Sequence, residues 1–457
     1  MIRLMLSQLR HSPAVFIGPL LTAAVTAVFV QLAAVFWWSV VSDAGSAAFA
    51  ASGDRAGGGT FSTLGLFILV FGVGLPAIIA FTSVGRNSVS MLRSDYAHWR
   101  LAGVTPPQIV RAVISQTVLL TLPASLLALL VSLPSSQAAV SFVMTLGSTQ
   151  ADIPVSVSWQ PLLLSIIAAL GFALLGAVGP GIRAARIAPI EALRASAVTL
   201  RSRTILRLVL VGVLLLVAVL VAVNVATAIE GSGGASMLAL VGILTALVAA
   251  AGPMIYPSVT RLWTLILLPA AKTTVFLARR SSTADGTAAA AVITPVLIAG
   301  SLLSGYFSGA GTYKAAVELI GRDYTINLLQ GLILFGPAAV IGLVAGIMSV
   351  IAKSGPDERA AALLRTVGAT PRTLILIPLL ETAFYAVTTL LLTAAIVFVP
   401  TALYALGFLN AQGLAVPIIF DLRASVLLTA CAAIAVFIIR AFPALRTRQM
   451  SLRLATA

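Results

Sequence analysis

The sequence predicts an all-α protein that crosses a membrane about ten times. Of its 457 residues, 60% are hydrophobic and only 9% are charged, whereas soluble domains carry about 25% charged residues. Ten apolar segments follow one another along the chain. Each is long enough to cross a hydrocarbon core of ~30 Å.

The predicted spans are the apolar runs between polar segments, in chain order. They cover residues 14–41, 61–84, 107–133, 158–181, 205–228, 235–258, 287–309, 327–352, 373–408 and 424–443. The first run is longer than the apolar core of a cleaved signal peptide, so we expect a retained helix. The ninth is longer than a bilayer requires, so we expect it to tilt or to break near Pro400.

The basic residues predict how the spans are oriented. Of the 28 lysines and arginines, 24 fall at the N-terminus and in every second loop. Cytoplasmic loops of membrane proteins are enriched in these residues. We therefore expect a multi-pass protein of the bacterial plasma (inner) membrane with both termini in the cytoplasm. The same clustering argues against nucleic-acid binding as the reason for the net charge of +15.

An internal repeat predicts two modules in a pseudo-twofold arrangement. Residues 99–106 (WRLAGVTP) match residues 364–371 (LRTVGATP), and the same offset of 265 pairs Gln116 with Glu381. The expected division is a leader span and outer loop at 1–60, a first module at 61–196 (spans two to four), linking spans five and six at 197–260, a second leader span and short outer loop at 261–326, and a second module at 327–457 (spans eight to ten).

Each copy of the repeated segment predicts a corner between a surface helix and a span. Gly103 and its counterpart Gly368 suit the left-handed position after a helix end. Each is followed by a threonine suited to an N-cap and a proline suited to the first helical position. The preceding segments, 88–101 and 356–367, have one charged and one apolar side, as helices do that lie on a membrane or dock on a protein. An ordinary interfacial corner and a docking element are the two interpretations.

The sequence contains no common catalytic or metal-binding pattern. It has no Gly-x-x-x-x-Gly-Lys-[Ser/Thr] phosphate-binding loop. His11 and His98 have no partner at ligand spacing, and the single cysteine, Cys431, excludes a disulfide within the chain. We therefore expect a protein that is not an enzyme and that holds no metal or cofactor of its own.

Two features inside the spans have a structural and a functional interpretation. Glu381 is the one acid placed inside a predicted span, which suggests a proton-coupling site. Gln116 at the equivalent position instead favours a shared hydrogen bond between helices. Gly342 and Gly346 form a Gly-x-x-x-Gly motif in span eight that permits close packing, for which we expect span two as the neighbour.

Three motifs together resemble the FtsX-like permease family, the membrane subunits of MacB-, LolC- and BceB-type ABC systems. They are Arg-x-x-Gly-x-Thr-Pro before a span, a Gln or Glu farther into that span, and the tail PIEALR at residues 189–194. The layout is similar to a two-domain, ten-span form. The resemblance implies that the corners are coupling elements for a separate ATPase. The residues implied are Arg93, Trp99, Arg100, Gly103, Thr105, Pro106, Asp357, Glu358, Arg365, Gly368, Thr370 and Pro371.

The resemblance also implies two copies of a partner ATPase, which would bind ATP and Mg, for each permease. The sequence departs from the family because loops 42–60 and 310–326 leave no room for a large extracellular domain. We therefore expect export or displacement of an amphipathic or lipophilic substrate taken from the membrane. The alternatives are a non-transporting actuator or sensor of FtsX type and an ion-coupled secondary transporter.

Overall fold

The structure of the chain is a computed structural model. It describes residues 13–52, 55–146, 155, 158–187, 204–227, 233–266, 273–284, 286–323, 326, 328–351 and 368–438. Within these ranges the regular elements are helices, and no strand is present.

The helices in chain order are α1 (Pro13–Val41), α2 (Asp43–Ala51), α3 (Arg55–Phe67), α4 (Leu75–Met91), α5 (Arg93–Leu101), α6 (Pro106–Leu146), α7 (Trp159–Ala185), α8 (Thr204–Thr227), α9 (Gly233–Trp263), α10 (Thr273–Ala284), α11 (Gly286–Leu319), α12 (Leu328–Ile351), α13 (Pro371–Gln412) and α14 (Arg423–Ile438). A π-helical segment, Ile68–Gly74, joins α3 to α4 without a break in the chain direction.

Nine helices in the described part of the chain are long and apolar enough to cross a membrane. They cover Val15–Val41, Gly58–Met91, Pro106–Met144, Trp159–Ala185, Leu208–Thr227, Gly234–Ile266, Ala289–Leu319, Leu328–Ile351 and Arg372–Gln412. The predicted class, an all-α polytopic membrane protein, is confirmed. The shorter α14 covers the start of the predicted tenth span, and the rest of that span lies outside the described residues.

The chain forms two compact units. Unit 1 contains Met1–Leu200 and Thr325–Ala345, and unit 2 contains Arg201–Tyr324 and Gly346–Ala457. In unit 1, α1 packs on α4, α6 and α7, and α7 also packs on α4 and α6. In unit 2, α9 packs on α8, α11 and α13, and α13 also packs on α8, α10 and α11. The two linking spans, α8 and α9, therefore belong to the same compact unit as α11 and α13.

Burial separates a central helix of unit 2 from a peripheral one. The most apolar stretch of α11 is 94% buried, whereas that of α8 is 11% buried. Large apolar side chains such as Leu216 and Leu220 are exposed along α8. In a bilayer such side chains contact lipid tails, which are as apolar as they are. The exposed surface of α8 is therefore a lipid-facing surface.

A buried glutamine joins two helices of unit 1. The Gln31 Nε2 atom of α1 donates to the Ser125 carbonyl of α6 at 2.6 Å, and the Ser132 hydroxyl donates to Gln31 Oε1 at 2.7 Å. Gln31 is 1% exposed. Because hydrocarbon offers no alternative partner, both ends of this amide are satisfied within the protein. The amide therefore fixes the position of α1 along α6.

Glycines mark two close approaches between helices. A methyl group at Gly72, in the π-helical segment, would collide with the Leu334 carbonyl of α12. Phe67 packs edge-on against Phe335 beside this contact. The expected close packing of Gly346 is confirmed, but its neighbour is Val296 of α11, 3.3 Å from an added methyl group. Span two, for which packing on this motif was expected, approaches α12 at Leu334 instead.

Several segments predicted as loops are helical. Residues 43–51 and 134–146 lie in helices, and α11 continues to Leu319. Helix α6 has 41 residues, which corresponds to about 62 Å at 1.5 Å per residue, twice the ~30 Å core. Helix α13 has 42 residues and continues through Pro400, so the expected break there is wrong. A break would leave backbone groups without partners in hydrocarbon, whereas a continuous helix loses a single bond.

Candidate functional site

The candidate site is the corner at which α5 turns into α6. Helix α4 ends at Met91, and Leu92 leaves helical geometry with φ −93° and ψ 17° before α5 begins at Arg93. The predicted start of the surface helix at Ser88 is therefore wrong. The Ser88 hydroxyl donates to the Val84 carbonyl within α4, because the helix of the span continues past the expected boundary.

The end of α5 has the hydrogen bonds of a Schellman motif. Gly103 has φ +89°, and its N–H donates to the Arg100 carbonyl at 3.1 Å. The next N–H, of Val104, donates to the Trp99 carbonyl at 3.0 Å. Gly103 is therefore the left-handed residue after the helix, as predicted.

The start of α6 is capped by its own third residue. The Thr105 N–H donates to Gln108 Oε1 at 2.9 Å, which is one of the two bonds of a capping box. Helix α6 begins at Pro106, where the missing N–H has no helical partner to lose. The corner is thus closed by local hydrogen bonds on both sides of Gly103.

The described part of the second copy matches the first. Gly368 has φ +91°, and Thr370 is the N-cap of α13, accepting the Thr373 N–H at 3.3 Å. Helix α13 begins at Pro371, the counterpart of Pro106. The segment before Gly368, including the predicted coupling residues Asp357, Glu358 and Arg365, lies outside the described residues.

The base of the first corner is buried in an apolar cluster. Tyr96 is 1% exposed and Ala97 is fully buried, and Trp99 meets the Tyr96 ring edge-on at 5.4 Å. The cluster contains Phe16, Val89, Leu92, Tyr96, Ala97, Ile109, Val113, Ala184, Ala185 and Ile187. It therefore joins α5 to the adjacent ends of α1, α4, α6 and α7. Burial raises the pKa of the Tyr96 hydroxyl above its ordinary value, and the carboxylate of Asp95 raises it further.

Arg100 ties the corner to the end of another span. Its Nη1 atom donates to the Ala185 carbonyl, in the last turn of α7, at 2.8 Å. The last carbonyls of a helix have no partner within the helix, so this bond satisfies one of them. Arg100 was predicted to act in coupling, and the structure gives it a positioning role inside unit 1. Arg93 is likewise only partly exposed.

The tip of the corner is exposed and carries a large apolar side chain. Leu101, the last residue of α5, is 56% exposed. Its exposed neighbours are His98, Ala102, Gly103, Thr105, Pro106, Pro107, Gln108 and Arg111. Leu101 is not among the residues predicted from the sequence. A signal for it is present nevertheless, because it is an apolar residue beside the turn glycine that belongs to no predicted span. Single exposed apolar side chains are common on protein surfaces, so the place of Leu101 at the tip of the corner, and not its exposure alone, makes it a candidate contact.

The two intramembrane polar residues occupy equivalent, buried positions. Gln116 is 5% exposed and Glu381 is 8% exposed. Glu381 Oε1 accepts a hydrogen bond from the Tyr385 hydroxyl at 2.8 Å. The next residue in each copy, Thr117 or Thr382, donates to the carbonyl four residues earlier, at 3.0 Å and 2.9 Å. The repeat is therefore visible in the hydrogen bonds as well as in the sequence.

Among the described residues, no group of three or more His, Cys, Asp or Glu side chains is placed to hold a metal ion. Cys431 is exposed on α14 and lies in the described part as a free thiol.

The comparison with protein families identifies the part of the chain that contains this corner. No curated protein matches the chain. Residues 66–189 match the family described as FtsX-like permease C-terminal, a range that contains α4, α5, α6 and α7. Together with the multi-span fold, this match identifies the chain as a membrane permease component that carries an FtsX-like permease domain at residues 66–189.

Proposed function

We propose that the chain is the membrane-spanning permease subunit of an ABC-type transporter. A separate ATPase, present in two copies, would bind ATP and Mg and dock on the α5–α6 corner and on its repeat at Gly368. The work of ATP hydrolysis would then drive export or displacement of an amphipathic or lipophilic substrate. The corners would face the cytoplasm of a bacterial cell, as the distribution of basic residues predicts.

The observation that carries the proposal is the division of the first corner into an exposed tip and a buried base. Leu101 is 56% exposed, whereas Tyr96, five residues earlier, is 1% exposed. A partner that binds the tip therefore acts on a short helix whose other side is packed into the bundle. Because packed interiors are stiff, displacement of α5 would move the ends of α1, α4, α6 and α7 with it.

Two further contacts hold α5 rigidly against α6 and α7. The Arg100 guanidinium bonds to the Ala185 carbonyl of α7, and the Schellman bonds fix the angle at which α5 meets α6. A hydrogen bond from a charged donor contributes about 1.5–3 kcal/mol. These contacts support direct transmission from the tip to α6 and α7 without a flexible linker.

The duplication of the corner supports a partner with two equivalent subunits. Gly103 and Gly368 have φ values of +89° and +91°, and both corners lead into helices of about 60 Å at 1.5 Å per residue. Two equivalent docking elements in one chain suit two copies of one ATPase. They replace the two permease subunits that a single-module relative would need.

The test is co-purification of the chain with an ABC ATPase from the same cells, with Leu101→Asp as the variant. We expect Leu101→Asp to reduce ATPase binding at least tenfold and to reduce the permease-dependent ATPase rate, because it places a charge in an apolar contact. Ile320→Asp is the matched control. Ile320 is 52% exposed, also beside a left-handed glycine, Gly321, and at the predicted outer end of α11.

An ATPase that fails to bind the wild-type chain contradicts the proposal, as does equal loss of binding in Leu101→Asp and Ile320→Asp. ATPase binding with no movement of any amphipathic substrate supports a non-transporting actuator instead. Transport that persists without the ATPase and depends on a proton gradient supports a secondary transporter.

A further inference from the structure

A groove opens within unit 2 between α11, α12, α13 and α14. Its walls include Val292 and Val296 of α11, Ala386 of α13, and Thr429 and Ala433 of α14. Gly346 of α12 lines it as well, and the missing side chain there brings α12 close to α11. The groove is open on one side and encloses a volume of about 30 Å³. Three of its four helices are long and apolar enough to cross a membrane, and the fourth, α14, is a shorter apolar helix. The molecules expected to reach the groove are therefore those dissolved in the bilayer.

One polar group in the groove has no partner among the described residues. The Thr429 hydroxyl is buried there without a hydrogen bond, and the residue is 4% exposed. The other two threonines of the lining donate to carbonyls of their own helix, Thr382 to Pro378 and Thr389 to Tyr385. A threonine inside a membrane helix normally makes such a bond. The Thr429 hydroxyl therefore lacks a partner among the described residues, and a ligand oxygen that enters the groove can supply one.

The counterpart of one groove residue in unit 1 lies in a buried cluster. Ala124 corresponds to Thr389 at the offset of 265, and it packs with Ala23, Phe81 and Ala173. A bulky ring therefore contacts this position in the first module, whereas Thr389 lines the groove in the second.

The lining also defines the charge of a suitable ligand. None of the described residues that line the groove is charged, and the hydroxyl of the lining residue Tyr385 already donates to the Glu381 carboxyl. A phosphate or carboxylate head would find no cation here and would lie near an acidic side chain. An uncharged oxygen, in contrast, accepts a hydrogen bond from Thr429 at no electrostatic cost.

We propose that this groove binds the apolar chain of an uncharged membrane amphiphile, whose hydroxyl or carbonyl oxygen accepts a hydrogen bond from Thr429. The inference names a substrate class for the permease and in that respect rests on the proposed function. The binding itself requires neither ATP nor the ATPase.

The test uses the full-length chain in phosphatidylcholine nanodiscs without the ATPase. The probe is a monoacylglycerol with a photoactivatable diazirine in its acyl chain, and the cross-linked peptides are mapped by mass spectrometry. We expect saturable labelling of α13 and α14, and an affinity about three- to tenfold lower in Thr429→Val, which removes one hydrogen bond at nearly constant shape. Ala433→Phe fills the groove and should abolish the labelling.

Thr401→Val is the matched control, because the buried Thr401 hydroxyl bonds to the Val397 carbonyl and does not line the groove. It should label as the wild type does. Ala386→Leu is a second filling variant, used if Ala433→Phe does not fold. Equal labelling of the wild type, Thr429→Val and the filled variants overturns the proposal, as does preferential labelling by a phosphatidylglycerol probe. Because no ATPase is present, neither outcome bears on docking at Leu101.

Discussion

Replacement of Gly103 by alanine tests whether the corner is held by its left-handed residue. Gly103 has φ +89°, and a Cβ added there would meet no atom within 4 Å. The substitution therefore introduces no collision with the rest of the protein. Its cost comes from the backbone conformation alone, about 1–2 kcal/mol for an L-residue in the left-handed region.

This cost raises the fraction of molecules in which the hydrogen bonds of the corner are broken by a factor of about 5–30. Two amides report it directly, since the Gly103 N–H bonds to the Arg100 carbonyl and the Val104 N–H to the Trp99 carbonyl. We expect amide hydrogen exchange at residues 103 and 104 to accelerate by the same factor in Gly103→Ala. Gly103→Asn should restore part of the protection, because asparagine tolerates the left-handed conformation.

The matched control is Gly171→Ala in the same unit. An added Cβ at Gly171 likewise meets nothing within 4 Å, but Gly171 lies inside α7. Alanine is about 0.5–1 kcal/mol more favourable than glycine in a helix, so this variant should be as stable as the wild type or more stable. If exchange at residues 103 and 104 is unchanged in Gly103→Ala, or rises equally in Gly171→Ala, the Schellman motif does not hold the corner.

Three further substitutions test contacts of unit 1. Arg100→Ala should destabilise the chain by about 1.5–3 kcal/mol, because the Ala185 carbonyl loses a charged donor; thermal unfolding in detergent measures this, and Arg100→Lys should recover part of it. Burial raises the pKa of Tyr96 in the folded protein. The folded state therefore keeps the hydroxyl neutral while the unfolded state ionises at pH ~10, so the stability that the buried neutral hydroxyl contributes is complete below that pH and is lost as the pH rises above it. Tyr96→Phe should remove this part of the alkaline loss in unfolding temperatures measured from pH 8 to 11. Gln31→Leu should lower stability by about 1–3 kcal/mol, since Ser132 loses its buried partner; an unfolding temperature equal to that of the wild type would contradict the role assigned to this amide.

The corners were predictable because their chemistry is local. A glycine that follows a helix, a threonine N-cap and a proline at the first helical position each act within a few residues of the chain. Gly103 and Gly368 therefore have the predicted conformation, and α13 begins at the predicted proline. The fold class was predictable for the same kind of reason, because the length and apolar character of a segment decide whether it can cross a bilayer.

The partners of the corner residues were not predictable, because they are distant in sequence. Arg100 and the Ala185 carbonyl are 85 residues apart, and sequence periodicity does not show which helix end lies beside α5. For this reason the bond from Arg100 to α7 is not predictable from the sequence. The exposure of Leu101 is not predictable either, because an apolar residue in a polar segment equally suits anchoring at the membrane surface. Residues 134–146 read as a loop from their polarity, yet the helix continues into them.

The two modules share their corners but differ in their interiors, and this difference separates two roles. The corner depends on backbone geometry that both copies preserve, from Gly103 and Gly368 to the helices that follow. The interiors differ in side-chain packing: Phe81 lies in a buried cluster of the first module, and a groove opens beside Thr429 in the second. The two proposals accordingly assign the docking of the ATPase to both corners and the binding of the amphiphile to the groove of the second module. They are tested by different variants, so one proposal can fail while the other stands.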